Sequence, residues 1–166
     1  MIGGLLDFAR LSGSEIWRER VELELVAQSV LEDLDAVVRD SGARVIVNAS
    51  ITVSGDATLL RVLLQNLVAN AIKFSAESGA TPQVEVTAEI AEGECRITVD
   101  DNGPGVPAAQ RDRIFELMER GDTHDIPGLG IGLSTCRSIA HAHGGRIGVD
   151  DSALGGASFW VALPRS

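Results

Sequence analysis

Three short stretches of this 166-residue chain carry residue types at spacings that suit chemistry. Asn66, Asn70 and Lys73 stand at i, i+4 and i+7 in an otherwise apolar run, so they share one face of any helix built there. A buried carboxamide left unpaired costs about 1–3 kcal/mol and a buried ammonium more, so the stripe must face solvent or line a polar cavity. Asp101-Asn102-Gly103-Pro104-Gly105 closes an alternating strand. Its glycines would let backbone approach a flat ligand, and a carboxylate at a strand end accepts from an exocyclic amine such as that of adenine. The same residues are ordinary turn formers. Gly128-Leu129-Gly130-Ile131-Gly132-Leu133-Ser134 opens a helix, where free backbone N–H groups make a natural phosphate cradle. It is not a dinucleotide fingerprint, since no apolar strand leads into it, nor a P-loop, since no Gly-Lys-Ser/Thr follows.

The elements that must position these groups follow from local patterns. Asp56 is a good N-cap for a helix running to about Phe74. Its apolar residues, Leu59 through Ile72, surround the axis almost completely and predict a buried helix. QVEVTAEI (83–90) and CRITVDD (95–101) alternate as two half-buried strands joined at Glu92-Gly93-Glu94. The 128–145 segment becomes a helix that closes on Gly144-Gly145, and RIGVDD (146–151) with ASFWVAL (157–163) reads as a hairpin around Gly155-Gly156. Upstream, Val21 to Leu25 alternates like a short strand, and Val26 to Ser41 has helical period before Gly42 ends it. ARVIVNAS (43–50) and ITVSG (51–55) look like a strand pair or hairpin. Residues 2–11 have helical spacing cut off by Ser12-Gly13-Ser14 and read as the end of something longer. The expected fold is an α/β (α+β) two-layer sandwich: a mixed, mostly antiparallel sheet of about five strands, with about three helices on one face.

Composition narrows the partners. With 24 Asp+Glu against 14 Lys+Arg, the net charge is −10, and Lys73 is the single lysine. A chain this acidic offers no basic patch to displace the counterions of a nucleic acid or an anionic membrane, so any anionic ligand must be held by local groups. Cys95 and Cys136 lie far apart and form no ligand cluster, so they read as small buried hydrophobes in a reducing compartment. No run approaches a membrane span, and no basic flank precedes an apolar signal core, so the expectation is a cytoplasmic chain without direct membrane insertion.

Taken in order, the three motifs resemble those of the ATP-binding catalytic domain of sensor histidine kinases, in the Bergerat-fold ATPase superfamily that also holds DNA gyrase and the ninety-kilodalton heat-shock chaperone. QNLVANAIKFS (65–75) resembles the N box of that family, DNGPGVP (101–107) its G1 box, RIFELMER (113–120) its F box and GLGIGLS (128–134) its G2 box. HGGRI (143–147) and GGASFWVALP (155–164) resemble its closing segments, and LLDFARLSG (5–13) the end of the dimerisation helix that precedes it. The resemblance divides the chain into residues 1–13, the end of a helical hairpin, and 14–166, the catalytic domain with a lid at about 108–127.

The resemblance implies roles. Asn70 would hold Mg²⁺, Asn66 would line the same site and help hold the metal, and Lys73 would neutralise phosphate charge, with Phe74 beside it. Asp101 would accept from the adenine amino group, with Gly103, Gly105 and Val106 around the base. Gly128, Leu129, Gly130, Ile131, Gly132 and Leu133 would form the hinge and cradle at the triphosphate of ATP. Phe115 would anchor the lid, Arg120 would reach the γ-phosphate, and Ser158 matches a hydroxyl position near the base. Leu117 and Met118 depart from the proline and phenylalanine common in the F box, which puts the lid contacts in doubt.

A kinase of this kind needs a phosphoacceptor histidine with an acidic neighbour, and none of His124, His141 and His143 has that context. All three read as surface or capping side chains. The expected reaction is therefore transfer of the γ-phosphoryl group to a histidine on a helical-hairpin domain of the same kinase absent from this chain, or on another chain, with a response regulator as indirect partner. The parent would be a homodimer, the fragment itself monomeric. Two alternatives share the fold: a nucleotide-gated interaction module without catalysis, and a serine kinase of the anti-sigma type.

Overall fold

The computed structural model describes residues 16–115 and 129–164, with 129–131 described by their backbone only. Among these residues, β1 (Glu19–Glu22) pairs antiparallel with β3 (Thr52–Gly55) as a two-stranded ribbon. The main sheet holds β2 (Arg44–Asn48), β4 (Gln83–Ala91), β5 (Glu94–Asp101), β6 (Arg146–Asp151) and β7 (Ala157–Pro164), in the order β2-β4-β5-β7-β6. Only the β2–β4 pair is parallel. The helices are α1 (Leu23–Asp33), α2 (Asp35–Ser41), α3 (Ala57–Glu77) and α4 (Leu129–Ala142), with short 3-10 turns at Ala108–Gln110 and Arg113–Phe115. The mixed five-stranded sheet under a helical layer is the expected two-layer sandwich.

Alternation decides which side of the sheet is core. In β5, Cys95, Ile97, Val99 and Asp101 are buried, while Arg96, Thr98 and Asp100 face the other way. Phe159, Val161 and Leu163 of β7 join the buried set. Above them lies α3, which buries Leu59, Leu60, Leu63, Leu64, Leu67, Val68, Ala71 and Ile72 and packs on α1, α4, β4 and β5. Each such leucine contributes about 2–3 kcal/mol of burial, enough to fix the rotation of the helix and hence the direction of its polar stripe. Asp56 caps α3, its Oδ1 accepting from Leu59 N at 3.2 Å. Cys95 and Cys136 are fully buried free thiols, and burial pushes their pKa values up to about 11 and about 12. No helix of the described residues is long and apolar enough to cross a membrane.

Upstream of α3 the structure corrects the sequence expectation. The segments at 43–50 and 51–55 are strands but not partners: β2 joins β4 in parallel, and β3 turns to β1. A parallel pair needs a crossover connection, which β3 and α3 supply, and alternation alone does not name a strand's partner. The short strand stops at Glu22, because Leu23 already belongs to a helix whose Leu23, Ala27 and Val30 form one buried face. The continuous helix expected to Ser41 breaks at Leu34 (φ −97°, ψ 14°), and α2 beyond it buries no residue. Gly42 ends α2 in the left-handed region (φ 72°), as expected of a C-terminal glycine. Residues 1–13, with the helix remnant, lie outside the described residues.

Candidate functional site

Asp101 is the last residue of β5, and the strand's alternation turns its side chain inward, where it is 2% exposed. Its Oδ1 accepts from Gly103 N at 2.9 Å and Ala157 N at 3.0 Å, while its carbonyl oxygen accepts from Gly156 N at 3.1 Å. Both side-chain bonds fall on one oxygen, and Oδ2 accepts from no described residue. Burial raises the carboxyl pKa above the ordinary aspartate value; the two N–H donors oppose this, and neighbouring Asp100 adds to it. Burial wins, so the group is a poorly solvated acceptor. Gly156 has no room for a side chain: a Cβ there would collide with Asp101 Oδ1 and lie 2.5 Å from Gly103 N. Asn102 ties this loop to the start of β4, donating to Thr81 O and accepting from Gln83 N, both at 2.9 Å.

The polar stripe of α3 runs up to this loop. Asn66, Asn70, Lys73 and Phe74 are all half-buried. The amide nitrogen of Asn70 is buried without a hydrogen-bond partner, and so is the hydroxyl of fully buried Ser75. Ser75 abuts the Asp101 loop: a Cβ on Gly103 would lie 3.2 Å from Ser75 Oγ and 3.3 Å from Asp101 Oδ1. Asn66 faces α4: its Oδ1 is 3.5 Å from the place a Cβ on Gly132 would take. This approach, together with Cys136 Sγ to Leu63 O at 3.7 Å, runs α3 and α4 antiparallel, so the first turn of α4 lies toward the Asn70 half of α3.

Gly130 and Gly132 belong to that first turn, since α4 begins at Leu129; Leu133 and Ser134 behind them are buried. Gly128, and the Leu129 and Ile131 side chains, lie outside the described residues. Before the lid, Val106 O accepts from Arg111 Nε at 3.0 Å, and the same guanidinium reaches Asp151 at 2.7 Å. Gly105 turns the chain with φ 77°. Phe115 is a core side chain, 5% exposed and packed edge-on against Phe159 with centroids 6.1 Å apart. That fits an anchor for a lid, but the lid residues 116–127, Arg120 included, lie outside the described residues.

One sequence expectation is corrected. Ser158 pairs with Asp100 and Asp150 across the sheet, so it shares their outer face and stands on the opposite side from Asp101. The residue beside Asp101 is Ala157, one position earlier, and it contributes its backbone N–H rather than a hydroxyl. The histidines divide between the two expected roles: His141 is exposed, and His143 is a buried capping side chain with both ring nitrogens engaged, Nε2 on the N-cap amide of α3. His124 lies outside the described residues. Through Ser75 the structure brings the end of α3 to Asp101 and Gly103, and it leaves Ser158 on the other side of the sheet. Gly156, Ala157 and Ser75 were not singled out by type and spacing. The Gly155-Gly156 pair, read as a turn, was the one available signal.

The model of the histidine kinase-, DNA gyrase B-, and HSP90-like ATPases matches residues 55–166. The two-component sensor PhoQ of Pseudomonas aeruginosa is 37% identical over 162 residues, spanning 96% of this chain and 35% of that protein. Cyanobacterial phytochrome A of Nostoc is 34% identical over 99% of this chain, which spans 21% of its length. Among solved structures, full-length ShkA in complex with AMPPNP is 31% identical, with a TM-score of 0.81 over 98% of this chain and 35% of its own. The chain thus spans well under half the length of these relatives.

Proposed function

The chain belongs to the histidine kinase-, DNA gyrase B-, and HSP90-like ATPases, and from that premise we propose that it binds Mg²⁺·ATP and passes the γ-phosphoryl group to a histidine of a separate helical-hairpin domain, for onward transfer to a response regulator. Asp101 is the observation that carries this reading: a buried carboxylate with one oxygen fixed by backbone and the other open to a donor, as an exocyclic amine requires. Asn70 supports it from the α3 side. Its buried, unpartnered amide end can present Oδ1 by a flip about the last torsion, which suits a hard cation that takes few protein oxygens and completes its shell with phosphate and water. When bound there, Mg²⁺ would neutralise phosphate charge. Asn66, which faces the glycine turn of α4, would line the same site. Lys73 and the first N–H groups of α4 would meet the phosphates, and Arg120 the γ-phosphate.

With the nucleotide so placed, an imidazole nitrogen of the acceptor attacks the γ-phosphorus, the bond to the ADP bridging oxygen breaks, and ADP leaves with that electron pair. The domain's contribution is position and charge, not a covalent intermediate. Titration of Mg²⁺·ATP should show micromolar-to-millimolar binding to the wild type, abolished in Asp101→Ala; no binding by the wild type would refute the reading. With γ-labelled ATP and a separately made phosphoacceptor hairpin, the hairpin should be labelled by the wild type and not by Asn70→Ala. Label on this chain itself would reveal an acceptor it is not expected to have.

A further inference from the structure

His143 is buried to 1% exposure just past the end of α4, away from every group assigned to the nucleotide. Its ring makes two bonds of fixed sense. Nδ1 lies 2.8 Å from Ile139 O, which can only accept, so Nδ1 carries the hydrogen. Nε2 lies 3.0 Å from Asp56 N, which can only donate, so Nε2 is the acceptor. The ring is thereby held neutral, in one tautomer.

The bond to Asp56 closes a gap in the cap of α3. In a capping box, the N-cap side chain accepts from the N3 amide while a Glu or Gln at N3 accepts from the N-cap amide. Here Asp56 does the first, but N3 is Leu59, which has no acceptor in its side chain. His143, 87 residues along the chain, supplies the missing half from another helix. Gly55 is shaped for it, since a Cβ there would lie 3.0 Å from His143 Cδ2 and Nε2. The same pair of helices meets again where Cys136 Sγ reaches Leu63 O at 3.7 Å and Gly132 faces Asn66, toward the glycine turn of α4. Two contacts fix both the height and the tilt of one helix on the other; one contact leaves the tilt free.

We propose that His143 is a positioning residue: its neutral ring latches the end of α4 to the N-cap of α3, holds the glycine turn of α4 against Asn66 and toward the Asn70 half of α3, and releases that register when it takes up a proton. The link to Asn70 rests on the nucleotide reading above; the latch itself does not. The charged groups facing the ring are Asp56, on the α3 side, and Arg18, ahead of β1. Burial lowers the pKa most and Arg18 lowers it further, while Ile139 O and Asp56 raise it; burial prevails, so the ring titrates below the ordinary histidine value. An imidazole depressed below its unfolded pKa of about 6.5 takes up a proton on unfolding, so its stabilisation is complete above that pH and is lost as the pH falls through the folded value.

The test uses the whole chain without nucleotide. Ring ¹⁵N shifts of wild type should show the Nδ1–H tautomer and a midpoint below the ordinary histidine value; the Nε2–H tautomer, or an ordinary midpoint, would overturn the proposal. In His143→Phe, which keeps a ring but loses the acceptor, the Asp56 amide should exchange with solvent at least about tenfold faster, and His143→Gln, whose carboxamide oxygen can take the same bond, should recover most of the protection. Equal exchange in all three would overturn it. If the Phe variant does not fold, Gly55→Ala gives the same readout by crowding the ring. Between about pH 6.5 and 5 the melting midpoint of wild type should fall by several degrees while that of His143→Gln stays level; parallel curves would count against the latch. With Mg²⁺·ATP added, His143→Phe should bind about tenfold more weakly than His143→Gln. Equal affinity for the two variants would refute the link to Asn70, whereas a wild type that binds no nucleotide while the apo readouts hold would refute the nucleotide reading alone.

Discussion

The two ends of α3 are built to different standards. At the N-terminal end Asp56 answers Leu59 N with Oδ1 and Trp17 N with Oδ2, and its own N–H is taken by His143. In the C-terminal half, Asn70 and Ser75 keep buried polar atoms with no partner among the described residues, and Ser75 abuts the loop of a carboxylate with one oxygen unused there. Both ends sit in the same core, so burial does not explain the difference. One end is completed by the protein, and the other keeps polar groups that the described residues leave unpaired. A helix so divided separates the groups that set stability from those that set binding.

The largest effect should come from exchanging the acceptor at the unfinished end for a donor. Asp101→Asn keeps an oxygen for Gly103 N and Ala157 N but offers an amino group where adenine needs an acceptor, so nucleotide affinity should fall about 100-fold. Because burying the carboxylate is costly, the same variant should melt no lower than wild type at pH 7. Calorimetric titration and a thermal melt read both; a fall in stability as large as the fall in affinity would erase the distinction between the two ends. The finished end should behave in reverse. Asp56→Ala leaves two N–H groups without acceptors and should cost about 2 kcal/mol, lowering the melting midpoint by about 6 °C, with a much smaller change in affinity.

Acid should separate the ends as well. On the proposed reading Asp101 accepts from adenine in its ionised form, and its pKa is raised, so affinity should drop as the pH falls through that raised value, by about tenfold per pH unit below it. For the fold the sign is opposite: a carboxyl with a raised folded pKa contributes stability below its unfolded value that is lost as the pH rises through the folded one. Nucleotide titrations across acid pH, compared with the melts, should therefore diverge. The smallest effect is expected at Ser75→Ala, which removes an unpartnered hydroxyl and should leave stability unchanged or raise it by up to about 1 kcal/mol. A loss beyond that would mean the hydroxyl has a partner in solution.

What was legible in the sequence was local. The Asp56 cap is a three-residue signal, the β4–β5 hairpin turns on Glu92-Gly93, and the long apolar run of α3 carries its own rotation. Pairings that depend on distant chain were not legible: β2 and β3 alternate equally well whether they pair with each other or, as they do, with β4 and β1. Ser158 shows the same limit at the scale of one residue, because a strand's period of two says that faces alternate and not which face is which until a partner sets the register. Gly156 looked like a turn former because its crowding comes from Asp101 and Gly103, fifty-odd residues earlier in the chain. His143 lay outside the chemistry because its partner is a backbone amide, which leaves no mark in the amino-acid letters.

One bond of the site carries a consequence for biosynthesis. Asp101 Oδ1 is held by Ala157 N across 56 residues of chain, and β7, which begins there, is the strand between β5 and β6. A nascent polypeptide that has not yet released residue 157 from the ribosome holds Asn70 and Asp101 but lacks one of the two N–H groups that seat the carboxylate. On the proposed reading, ATP capture therefore comes after the sheet is closed.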